Sequence, residues 1–115
     1  MTKLQTQERI NEFVFSKRER AFDPQITFKQ IMVKQTIVWC WGATEFSGYK
    51  QDALVFKVRG YEHKGYVVIT LGFMDTYNIH LLDFNGNQVG ETTTDIYCDQ
   101  LTDVIDTLVE TKKVH

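Results

Sequence analysis

Between positions 54 and 82 the apolar side chains recur at every second residue. Leu54, Phe56 and Val58 alternate with Val55, Lys57 and Arg59. Val67, Ile69 and Leu71 alternate with Tyr66, Val68 and Thr70. Tyr77, Ile79 and Leu81 alternate with Asn78, His80 and Leu82. A period of two belongs to strands, whose successive side chains point to opposite faces, so three strands are predicted here. Residues 60–65 read as a polar hairpin connector, and residues 72–76 as a bend or bulge. Asn85-Gly86 is the strongest turn signal in the chain, because both residues tolerate the positive φ of a type I′ hairpin. Residues 87–93, with Val89 as their one apolar side chain, are predicted to return as an edge strand.

Outside this region the period becomes helical. Tyr97, Leu101, Val104, Ile105 and Leu108 form one stripe, and Asp99, Asp103, Asp106 and Glu110 the other. They predict a last helix starting at Asp95 or its neighbours, with the early aspartates at the positive end of its dipole and Lys112 and Lys113 at the negative end. At the N-terminus, Leu4, Ile10, Phe13, Val14 and the stem of Lys17 predict a first helix capped by Thr2 or Thr6; Thr2 and Gln5 have capping-box spacing. Asp23-Pro24 breaks that pattern. Thr27 is the candidate cap of a short second helix carrying Phe28, Ile31 and Met32. The run Ile37-Val38-Trp39-Cys40-Trp41 is β-prone and reads as a buried strand, either paired with the sheet or standing apart; Gly42, Ser47 and Gly48 then interrupt it. The predicted fold is one α+β domain over residues 1–115: a four-stranded, mainly antiparallel sheet with the N- and C-terminal helices on one face.

Composition adds bounds. A chain of 115 residues has the length of one domain and can bury roughly 65% of its unfolded surface. Neither an apolar signal-peptide core nor a run approaching membrane-spanning length occurs, so a soluble, cytoplasmic protein with no membrane partner is expected. The net charge of −2 hides an asymmetry: residues 1–34 carry seven basic and four acidic side chains, residues 84–115 two basic and six acidic. These read as two solvated surfaces, or as a polar field that orients a partner or a second copy. Neither half has the clustered basic footprint of a strong nucleic-acid binder. Cys40 and Cys98 belong to no C-x-x-C pair and are expected as free, at least partly buried thiols.

The order WGATEF (41–46), LVFKVRG (54–60), YVVITLGFMDTYNIHLL (66–82), GNQV (86–89) and IYCDQLTDVIDTLVE (96–110) resembles small uncharacterised proteins encoded by phages, plasmids and integrated elements. Their Gly-Ala-x-x-Phe, Asp-Thr-Tyr and Tyr-x-Asp-Gln-Leu elements correspond to residues 42–46, 75–77 and 97–101. The likeness covers about 70 residues. Cys40-Trp41 stands where those proteins more often have Met-Thr. The resemblance implies a fold and a mobile-element origin, and carries no activity.

Candidate chemistry is sparse. No nucleophile elbow, phosphate loop or H-E-x-x-H helix occurs, and no cofactor is implied. Cys40 or Cys98 with His63 or His80 would make a thiol–imidazole pair only if the fold joined them. Asp75, His80 and Asp83 would need to converge to hold a metal, whereas Asp75 suits a bracing role at a bend. Asp99, Asp103, Asp106 and Glu110 share one helix side, a solvated face or a docking face for a basic partner. Trp39 and Trp41 would share one face of a strand. With Phe46, Tyr49 and Tyr61 they form core, a protein-binding groove, or a stacking surface for single-stranded nucleic acid served by Lys50, Lys57, Arg59 and Lys64. The leading expectation is a non-enzymatic accessory protein that contacts an unidentified host or mobile-element protein, or itself. A nucleic-acid-binding module on a small basic and aromatic sheet surface is the alternative, and a small enzyme of unidentified class a further one.

Overall fold

The computed structural model describes residues 3–110. Three helices open the chain: α1 (Lys3–Lys17), α2 (Pro24–Met32) and α3 (Gln35–Cys40). Five strands follow, β1 (Thr44–Tyr49), β2 (Ala53–Arg59), β3 (Lys64–Leu71), β4 (Tyr77–Leu82) and β5 (Thr93–Ile96). A 3-10 turn at Cys98–Gln100 leads into α4 (Leu101–Val109). The strands form one antiparallel meander in the order β1-β2-β3-β4-β5. The fold is α+β, but the sheet has five strands rather than the four predicted.

The helices also cover both faces instead of one. Leu54, Phe56, Val58, Val67, Ile69, Tyr77, Ile79 and Ile96 pack with Ile31, Val38, Trp41, Leu101, Ile105 and Val109, so α2, α3 and α4 lie on that side. On the other face Ala53, Val55, Val68 and Leu82 pack under Ile10 and Val14 of α1. Each such fully buried aliphatic side chain contributes about 1.5–3 kcal/mol. The runs Leu54-Val55-Phe56 and Val67-Val68-Ile69 are buried throughout, as strands covered on both faces are. The alternation of the three central strands is nevertheless the predicted one.

The run IVWCW is helical. Val38 and Trp41, three residues apart, both point into the core, while Trp39 is 65% exposed. A strand would have placed the two tryptophans on one face; helical rotation puts them on opposite sides. Burial of Val38 and Trp41 outweighs β-propensity here, as packing commonly does. The fifth strand, β1, was hidden by Gly42, Ser47 and Gly48. Its register shifts between Thr44 and Ser47, where Glu45 takes a φ of 55°, the signature of a bulge.

Local chemistry moved other boundaries. Asp23 and Pro24 start α2 rather than break the chain: Asp23 Oδ1 accepts from Gln25 N–H at 2.9 Å and Pro24 occupies the first turn, where its missing N–H costs nothing. Thr27 is inside that helix, its hydroxyl 3.0 Å from the Tyr77 hydroxyl. At residues 83–87, Asp83 Oδ1 accepts from Asn85 and Asn87 N–H, and Gly86 N–H closes on Asp83 O at 3.0 Å. Of Asn85 and Gly86 only the glycine takes a positive φ, so this is a longer loop than a type I′ turn. The returning chain pairs with β4 through one isolated bridge, Leu82–Gln88, and becomes a strand only at Thr93. Tyr97 caps the 3-10 turn and is exposed rather than part of the apolar stripe. The predicted roles of Thr2, Lys112 and Lys113 lie outside the described residues.

Gly60 positions the end of α4. A Cβ there would overlap Val109; without it, Glu62 and His63 N–H donate to Val109 O at 2.8 and 3.1 Å. The C-terminus of α4 is thereby tied to the β2–β3 connector.

Candidate functional site

α2 packs one side on the core and exposes aliphatic side chains on the other. Thr27 and Ile31 face the core, with Phe28 and Met32 packed beside them. Ile26, Gln30 and Val33, spaced i, i+4, i+7, make a second stripe facing out. Ile26 is 57% and Val33 81% exposed. Gln30 and Val33 line a cleft of about 340 Å³ with Lys34, Cys98, Asp99 and Thr102. Within this stripe the Gln30 Oε1 atom is buried and has no hydrogen-bond partner among the described residues. Such an atom forgoes about 1–3 kcal/mol unless a donor reaches it. Tyr97, next in sequence to Cys98, is 61% exposed.

The acidic side of α4 is largely engaged within the molecule. Asp103 Oδ1 holds Lys34 Nζ at 2.8 Å. Asp106 Oδ1 accepts from the Trp41 indole N–H at 2.9 Å, and Glu110 Oε2 accepts from Tyr61 N–H at 2.9 Å. Asp99 borders the cleft beside α2. Three of the four carboxylates thus tie α4 to the elements around it. Of the aromatic group, Trp41 is core, stacked on Phe56 with ring centroids 6.3 Å apart. Phe46 also stacks on Phe56, at 4.8 Å. Tyr49 is half-buried and receives a hydrogen bond from Gln7 Nε2, and burial raises its pKa. Trp39 and Tyr61 are exposed.

The basic residues divide. Lys57 and Arg59 of β2 stand opposite Tyr66 and Lys64 of β3 on the α1 face, beyond Val55 and Val68; Lys57 and Tyr66 are half-buried there, Arg59 and Lys64 exposed. Lys50 belongs to the β1–β2 turn at the other end of β2. There it lines a cleft of about 670 Å³ with Asp23, Gln25, Phe28, Phe46 and Leu54.

The remaining candidates do not converge. Asp75, with a φ of 61°, sits in the β3–β4 loop and pairs with Arg20. Asp83 organises its own turn. His80 is buried between the Thr70 and Thr92 hydroxyls at 2.9 and 2.8 Å, edge-on to Phe13. Burial, reinforced by the charge of Lys17, lowers its pKa to about 4. His63 is shifted the same way by burial. Among the described residues no group of three or more His, Cys, Asp and Glu side chains comes together to hold a metal ion. Cys40 and Cys98 are free, and both are exposed rather than partly buried. No described helix is long and apolar enough to cross a membrane.

Sequence reading missed the outward stripe of α2 because it began that helix at Thr27. Starting it at Pro24 would have exposed the i, i+4, i+7 spacing of Ile26, Gln30 and Val33. It also missed Tyr66 and Phe84 as neighbours of Lys57; the parity of Tyr66 with Lys64 was the available signal. No family model matches the chain, and no curated protein or solved structure matches it.

Proposed function

We propose that this protein is a non-enzymatic accessory module, of the mobile-element kind its sequence resembles, that works by contact with another protein through the cleft between α2 and the start of α4. The observation that carries this reading is the outward stripe of α2, with its two exposed aliphatic side chains and the unpaired Gln30 Oε1 between them. Exposed aliphatic side chains on the outer side of a packed helix, beside a cleft, suit contact with another protein. The partner segment is apolar and packs on Ile26 and Val33. The mixed rim of Lys34 and Asp99 sets its register rather than its affinity.

Capture from a host lysate tests this. The immobilised protein is expected to retain a reproducible partner. Val33→Asp, which places a charge in the apolar contact, should weaken retention by roughly tenfold or more, the loss expected of one interface anchor. The Lys57→Gln, Arg59→Gln double variant, altered on the opposite face, should retain it fully. Equal retention by Val33→Asp contradicts the assignment of the cleft. Recovery of no partner, together with turnover in a broad substrate screen, contradicts the function itself.

A further inference from the structure

The second sheet face is only half covered. Ile10, Phe13 and Val14 of α1 lie over Ala53, Val55, Val68 and Leu82, and the far end of the same face is left to Lys57, Arg59, Lys64, Tyr66 and Phe84. Register places Lys57 beside Tyr66 and Arg59 beside Lys64. The Phe84 ring stands edge-on to Tyr66, centroids 6.2 Å apart. Lys57 Nζ lies 5.8 Å from the Tyr66 ring and 5.5 Å from that of Phe84, and the Arg59 guanidinium 5.0 Å from Phe84. Arg9 borders the group from α1, bonded to Asn87 at 3.1 Å. Acidic groups nearby include Glu45, paired with Lys57 at 2.9 Å, Asp83, whose carboxylate accepts from the backbone of its own turn, and Glu8 and Glu12, which line clefts beside Arg9.

We propose that this end of the face binds a short segment of single-stranded nucleic acid, its phosphates against Lys57, Arg59 and Lys64 and a base against the partly exposed rings of Tyr66 and Phe84. Cations interleaved with aromatic rings on a flat surface are the combination that single strands use, phosphate by charge and base by stacking. Duplex DNA is instead read by a helix or ribbon that enters its groove, and here the cations lie on a sheet face. Adjacent strands lie roughly 5 Å apart, and two residues along a strand span roughly 7 Å. The patch therefore holds about two or three nucleotides and binds weakly and without strong sequence preference. This site lies across the sheet from the α2 cleft and is independent of it.

Fluorescence anisotropy with labelled ten-nucleotide oligo-dT and oligo-U, at several salt concentrations, tests the proposal. Saturable binding is expected, with a log–log salt slope near −2, since each contacted phosphate of a single strand contributes about −0.7. Lys57→Gln with Arg59→Gln should weaken binding by roughly tenfold or more. Phe84→Leu should weaken it by roughly fivefold or more while leaving the salt slope unchanged. Glu45→Gln, which releases Lys57, should strengthen it. Each variant is checked by circular dichroism, and Glu45→Gln keeps the test decisive if a loss variant fails to fold. No saturable signal at low salt overturns the proposal. So does binding of poly-glutamate as tight as that of the oligonucleotides together with indifference to Phe84→Leu, which would make the patch a general polyanion or acidic-peptide site.

Discussion

Replacing Trp41 by alanine is expected to destabilise the protein by about 3–5 kcal/mol, the range for deleting a large aromatic side chain from a packed core. Trp41 is fully buried. It stacks on Phe56, which Phe46 contacts in turn, and its indole N–H is held by Asp106. Removal opens a cavity where α3, α4 and β2 meet. Against a typical domain stability of about 5–15 kcal/mol, that loss brings the protein close to unfolding at ordinary temperature. Trp41→Phe keeps the ring contact and loses the bond to Asp106, so its cost should be smaller. The informative control is Trp39→Ala. In the helix Trp39 faces solvent, and its removal should change stability by no more than about 0.5 kcal/mol. Urea unfolding of the three variants measures the contrast. Similar losses for both alanine variants would mean that the two rings share an environment, as a strand would place them.

Stability should also fall steeply with acid. His80 is held neutral in the fold, with its pKa lowered to about 4, whereas in the unfolded chain a histidine titrates near ~6.5. Between these values the unfolded state takes up a proton that the folded state refuses. The stabilisation is therefore fully present above about pH 6.5 and is lost as the pH falls toward 4. At about 1.4 kcal/mol per unit, the loss from His80 alone is on the order of 3 kcal/mol. His63, displaced in the same direction, adds to it. Unfolding curves at pH 7.5, 6 and 4.5 would record the loss, and the imidazole resonances would assign it. The His80 signal is expected to remain that of the neutral ring at pH 5. A His80 that titrates near its ordinary value in the folded protein would contradict its placement between Thr70 and Thr92.

Much of the sheet was legible because burial writes itself into alternation. The parity of Leu54, Phe56 and Val58 against Val55, Lys57 and Arg59 is the parity observed. The same residues held the clue to the second covered face: Val55 and Val68 are apolar at positions read as outward. Segments that depend on tertiary context were not legible. The run IVWCW follows a helical path because only then do Val38 and Trp41 both reach the core. β1 carries Gly48 and a bulge, so its pairing with β2 leaves little local signal. Of the candidate sites, local parity placed Lys57 and Arg59 together, but no local rule could show that Lys50 lies at the other end of β2. The engagement of Asp103, Asp106 and Glu110 depends on Lys34, Trp41 and Tyr61, all distant in sequence.

Cys98 lines the α2 cleft, whereas Cys40 ends α3, and both thiols are free and exposed. Their alkylation rates in the isolated protein and in the complex captured from lysate therefore report directly on what covers the cleft. A partner seated between α2 and the start of α4 should slow Cys98 alkylation markedly relative to Cys40. Cys98 reacting in the complex as fast as in the free protein would show that the partner binds elsewhere, and the proposed contact surface would be wrong.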